Sequence, residues 1–108
     1  MIAVDEKLID EIIHRIVKAF NPEKIILFGS RARGEVHVDS DIDLLVIANS
    51  PEPRYRRSSI LYGVMSDIIV PMDILVYTPQ EVEEWKDVRQ AFVTTAVREG
   101  WLVYENTG

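Results

Sequence analysis

Apolar residues recur along this chain at two periods, and the switches between them mark its elements. Leu8, Ile12, Ile16 and Phe20 stand four apart, with Ile9, Ile13 and Val17 beside them. That spacing predicts an amphipathic helix over residues 5–20. Asp5 suits its N-cap. Asn21-Pro22 ends it, because the residue before a proline disfavours the α region. Lys24 to Phe28 is a short β-branched run that predicts a buried strand. Residues 29–34 form a turn and 35–40 a polar loop. Asp41 to Ile47 is apolar apart from its aspartates and predicts a second strand. After the break at Asn49-Ser50-Pro51-Glu52-Pro53, a helix is expected from Arg54 to Ile68, with Ile60, Leu61, Val64, Met65 and Ile68 inward. Met72 to Tyr77 predicts a third strand.

Thr78-Pro79-Gln80-Glu81 has the form of a helix start, with a threonine cap, a proline in the first turn and a glutamate three residues after the cap. A short acidic helix follows to about Lys86. A last helix is expected from Val88 to Glu99, with Phe92, Val93, Ala96 and Val97 inward and Gly100 as C-cap. Trp101 to Tyr104 is a short extended segment. No helix separates the first two strands, so an α/β (α+β) fold is expected: a small mixed sheet of three to four strands with helices packed on it.

The turn and the second strand carry the candidate chemistry. Gly29-Ser30 is followed, after ten residues, by Asp41-Ile42-Asp43. Glycine lets backbone approach a phosphate closely. The following amides and the Ser30 hydroxyl can donate to its oxygens. Arg31 or Arg33 could add a forked clamp, or one of them could pair with Glu35 or Asp39. Asp41 and Asp43 are two apart on a strand and share a face. Two such carboxylates suit magnesium, which takes oxygen ligands and completes its shell with water and substrate phosphates. Asp73 stands among Met72, Ile74, Leu75 and Val76, where a carboxylate is costly unless paired or metal-bound. If the third strand lies beside the second, Asp73 completes a three-acid site. The turn is not a P-loop, since no Gly-Lys-Ser/Thr closes it. The glycine spacing also fails the Rossmann pattern.

Composition narrows the partners. The chain has 108 residues, no cysteine and a net charge of -6. The length fits one domain over 1–108. The missing cysteine excludes disulfides and thiolate chemistry. The acidic balance argues against stable nucleic-acid binding. The arginines cluster instead at Arg31/Arg33 and at Arg54/Arg56/Arg57, which suits a small anionic ligand or an acidic partner face. No signal peptide or bilayer-length apolar run is evident, so no membrane association and a cytoplasmic location are expected. His14 reads as a helix-surface residue, and Trp85 and Trp101 as core. The arginine cluster from 54 to 57 reads equally as a solvated helix start or as a partner or nucleotide contact.

The pattern resembles the nucleotidyltransferase superfamily that includes DNA polymerase β, and within it the minimal nucleotidyltransferases. Gly29, Ser30, Asp41 and Asp43 match the Gly-Ser-x10-Asp-x-Asp signature, and Asp73 matches the third carboxylate. The resemblance implies a palm fold in which Asp41, Asp43 and Asp73 hold two Mg2+ ions. It gives Gly29 and Ser30 the β- and γ-phosphates of ATP, and makes Asp73 the acid nearest the attacking hydroxyl. Short proteins of this kind are antitoxins of HEPN/MNT pairs, which implies AMP transfer from ATP to a tyrosine of a HEPN ribonuclease toxin. Neutralisation by binding alone, or transfer to a small-molecule hydroxyl, are the alternatives. The small size leads to the expectation that a partner supplies the grip on the acceptor, in a homo- or hetero-oligomer.

Overall fold

The computed structural model describes residues 6–29, 42–88 and 91–106, without the side chain of Phe92. The elements run α1 (Glu6–Phe20), β1 (Lys24–Phe28), β2 (Ile42–Ile47), α2 (Arg54–Val64), β3 (Met72–Tyr77), α3 (Pro79–Trp85), α4 (Phe92–Glu99) and β4 (Trp101–Glu105). The strands form one sheet in the order β3-β2-β1-β4. β1 is antiparallel to both β2 and β4, and β2 is parallel to β3. This is the expected mixed sheet with helices on it. Among the described residues no helix is long and apolar enough to cross a membrane.

Both sheet faces are covered, which explains why β1 and β2 read as continuous apolar runs rather than alternating ones. Ile25, Leu27, Ile42, Leu44, Val46, Ile74 and Val76 pack with Ile12 and Ile16 of α1 and Leu61 of α2. Ile26, Phe28, Leu45, Ile47 and Tyr77 pack on the other side with Val93 and Ala96 of α4. α1 ends as expected at Asn21, whose φ of 47° is the left-handed turn that asparagine tolerates. Its N–H closes on the Val17 carbonyl at 2.9 Å. Gly100 follows α4 with extended backbone rather than a left-handed cap. Its glycine is required by contact: a Cβ there would lie 2.4 Å from Ile26 Cγ2 and 2.8 Å from the Leu27 carbonyl oxygen.

Three expectations need correction. First, α2 stops at Val64, not Ile68. Ser66 N–H bonds Gly63 O and Ile68 N–H bonds Met65 O, tight turns that replace the helical pattern. Gly63, Ser66 and Asp67 are weak helix formers, and Asp67 is held by Arg15 of α1 (NH2–Oδ2 3.1 Å). Second, α2 is rotated in part from the expected face. Leu61 and Met65 are buried and Ile68 packs on the core as expected, but Ile60 and Val64 are exposed and Arg57 is buried in their place. The cause lies at the outer rim of β3. Tyr62 Oη accepts from Ile74 N–H (3.1 Å) and donates to Met72 O (3.4 Å), and Ser58 Oγ donates to Ile74 O (3.1 Å). Arg57 donates to Val76 O (3.1 Å). Turning these polar side chains onto the strand turns Ile60 and Val64 away from it. Third, α4 starts at Phe92 rather than Val88. Residues 86–88 form a turn, with Val88 N–H bonded to Trp85 O at 2.9 Å. Val97, expected inward, is exposed.

Candidate active site

The end of β1 and the starts of β2 and β3 meet at one end of the sheet, because β1 runs opposite to the other two. Phe28 is the register partner of Asp43, and Asp43 is the register partner of Asp73. Neighbouring strands lie about 4.8 Å apart and opposed residues share a face. The condition set by the sequence is therefore met: the third strand lies beside the second, and its aspartate stands opposite Asp43. Both acids are on the α3/α4 side of the sheet, the side of Leu45, Ile47, Leu75 and Tyr77. Asp43 is partly buried and Asp73 exposed.

Gly29 closes this group from the β1 side. Its φ is 77°, which favours glycine. A Cβ at that position would lie 2.2 Å from Asp43 Oδ2. The backbone turn and the carboxylate thus occupy adjoining space that no side chain could share. Ser30, Arg31, Arg33 and Asp41 fall outside the described residues. Of the residues expected at the site, Gly29, Asp43 and Asp73 are brought together.

The opposite end of the same strands holds a group the sequence did not reveal. Arg57 is only 6% exposed. Its Nε donates to Glu52 O at 2.7 Å and its NH1 to Glu81 Oε1 at 2.6 Å, beside the bond to Val76 O. Glu81 also accepts from Thr78 N–H (2.8 Å), while Thr78 Oγ1 accepts from Glu81 N–H (3.1 Å), completing the expected capping box. Burial pushes the Glu81 carboxyl up, but the Thr78 N–H and the Arg57 guanidinium outweigh it and hold it below the usual range. The arginine cluster is thus divided. Arg57 is an internal tie, Arg56 pairs with Glu52 at 3.1 Å, and Arg54 lies over the Tyr77 ring, 4.4 Å from its centroid.

Neither tryptophan is in the core: Trp85 is 43% and Trp101 61% exposed. Trp101 starts β4, the edge strand among the described residues, with no further strand beyond it there. Trp85 ends α3 and lines a pocket of about 170 Å³ with Arg54, Tyr77, Ala91 and Val93. His14 is exposed on α1, as expected.

The sequence model of the nucleotidyltransferase domain matches residues 9–101. The chain belongs to that family. It is 40% identical over 73 residues to the Methanocaldococcus jannaschii protein "Putative protein adenylyltransferase MJ1305", a match covering 61% of this chain and half of that one. Against "Putative protein adenylyltransferase MJ0604" of the same organism, identity is 28% over 106 residues, covering 93% of this chain and 98% of the relative. The spectinomycin 9-adenylyltransferase of Staphylococcus aureus is 29% identical over 57% of this chain and 27% of its own length. Two crystal structures share the fold. One is of "a putative nucleotidyltransferase from Sulfolobus solfataricus" (TM-score 0.66, 24% identity, 93% of this chain and 79% of that one). The other is of "the toxin-antitoxin with AMP-PNP" (TM-score 0.60, 21% identity, 91% and 74%).

Proposed function

We propose that this nucleotidyltransferase is a magnesium-dependent protein adenylyltransferase that acts as an antitoxin, moving AMP from ATP to a tyrosine of a HEPN-type toxin. The observation that carries the reading is the placing of Asp43 against both Asp73 and the Gly29 turn. The names of the M. jannaschii relatives support protein adenylylation, and the family match supports nucleotidyl transfer. The toxin and its tyrosine rest on the motif resemblance.

The donor set fits magnesium. Asp43 and Asp73 are register partners, so two like charges share one face of adjoining strands. A hard divalent cation offsets them and accepts carboxylate oxygens. Asp41, Asp43 and Asp73 would hold the Mg2+, which stabilises charge on the entering and leaving oxygens when bound. The chain's own residues supply the rest. Gly29 leaves open backbone for the β- and γ-phosphates, with Ser30 as a donor beside it. Arg31 or Arg33 clamps their remaining charge. Asp73, the more exposed acid, takes the proton of the incoming hydroxyl. The hydroxyl oxygen bonds to the α-phosphorus as the bond from that phosphorus to the oxygen bridging the α- and β-phosphates breaks, and pyrophosphate leaves with that oxygen.

The decisive experiment incubates the chain with ATP labelled on its α-phosphate, Mg2+ and the toxin encoded beside it. Label is expected on the toxin and to be lost when Mg2+ is chelated. A toxin that associates with the chain but takes no label would sink the proposal.

A further inference from the structure

We propose that the pocket formed by Arg54, Tyr77 and Trp85 holds the purine ring of the nucleotide whose phosphates lie at the Gly29 turn; this rests on the nucleotidyl-transfer reading above. The pocket lies on the side of the sheet that carries the acids. Asp73 and Tyr77 are four residues apart on β3 and point to the same face. At about 3.3 Å per residue their separation is about 13 Å. A ligand lying along β3 from the acids therefore passes Leu75 and arrives at this pocket.

The size and walls of the pocket select the part of the ligand. Its volume of about 170 Å³ is below the roughly 300–1,000 Å³ that encloses a whole small molecule. It has room for one portion of a longer ligand. The walls are flat and aromatic: the Arg54 guanidinium on the Tyr77 ring, and the Trp85 indole. Guanidinium planes and aromatic rings are the surfaces on which nucleic-acid bases stack. Arg54 is held in place by its NH1 bond to Tyr77 Oη at 2.8 Å, one of the five donors of a guanidinium. Its other donors can serve acceptor nitrogens on a ring. Ala91 and Val93 add small apolar contacts. A two-ring base covers more of such a surface than a one-ring base, so ATP and GTP are expected to bind more tightly than CTP.

The chain has two tryptophans, so Trp101→Phe leaves Trp85 as the sole indole reporter. In that background, Mg-ATP is expected to change the Trp85 emission and Mg-tripolyphosphate to leave it unchanged. Trp85→Ala and Arg54→Ala are each expected to weaken ATP binding, measured by calorimetry, by about tenfold or more, with tripolyphosphate binding preserved. Arg54→Lys keeps the charge but loses the flat face, and is expected to bind ATP as poorly as Arg54→Ala. Full binding by the lysine variant would assign the pocket to an anionic group and overturn the inference. So would ATP that binds with normal heat while Trp85 emission and both alanine variants are unaffected. If Mg-ATP fails to bind the parent chain at all, nucleotidyl transfer itself fails, a result distinct from the others.

Discussion

The β2–β3 pair carries charge at both of its ends, and the ends treat it in opposite ways. At the starts of the strands, two carboxylates of like sign face each other across the ladder. At their far end, Arg57 is buried with a carboxylate and two backbone carbonyls to meet it. The first arrangement suits a bound divalent cation, which both carboxylates can meet. The second joins the loop before α2, the rim of β3 and the cap of α3. On the proposed reading, one strand pair thus keeps a reactive end and a locked end.

Substitutions should separate the two ends. Asp43→Asn is expected to lower transfer at least about a thousandfold, equivalent to about 4 kcal/mol of barrier. Its thermal midpoint should change by no more than a few degrees, because asparagine keeps the size and shape of the side chain. A variant that loses both activity and stability would erase the distinction. Arg57→Ala should do the reverse. Removing one partner of a buried pair costs about 3–5 kcal/mol, read as a lower urea midpoint, while the protein that remains folded keeps its affinity for Mg-tripolyphosphate.

Gly29→Ala tests the reactive end through shape rather than charge. The Cβ would collide with Asp43 Oδ2 and sit at an unfavourable φ, so either the carboxylate or the turn must move. Transfer is expected to fall on the order of a hundredfold, about 2.7 kcal/mol, with a stability loss of about 1 kcal/mol or more from backbone strain. The smallest effect concerns acid. The Glu81 carboxyl is held below its usual range when folded, so its contribution is fully present above the ordinary glutamate value near 4.3. It is lost as pH falls through the lower folded value. Stability should therefore drop on the acid side, and Glu81→Gln should flatten that limb in melts taken from pH 6 down to about pH 3.

Much of the fold was legible because its signals are local. The apolar runs of β1, β2 and β3, the capping box at Thr78 and the stop at Asn21-Pro22 each depend on a few neighbouring residues. The site was legible conditionally. Asp73 could be tied to Asp43 only through strand order, and the parallel pairing of β2 with β3 met that condition. The rotation of α2 and the fate of Arg57 could not be read this way. Arginine next to Arg56 and Tyr55 looks like a solvated helix start, and its burial depends on carbonyls at Glu52 and Val76 and an acid 24 residues on. A partial signal existed: a glutamate at the third position of a capping box keeps spare acceptor capacity after serving the backbone. Trp85 was misread for a similar reason, since an indole at the end of a short helix is covered only if another element reaches it.

The side chains that line the rim of β3 have one more consequence. Met72, Ile74 and Val76 direct their backbone groups away from β2, and three carbonyls and one N–H of that row are already engaged by Tyr62, Ser58 and Arg57. A stacked fibre needs a templating rim on both sides of every molecule. Here one rim is spent. A strand added at that rim would first have to break those four bonds, so α2 guards an edge of the sheet as well as covering its core.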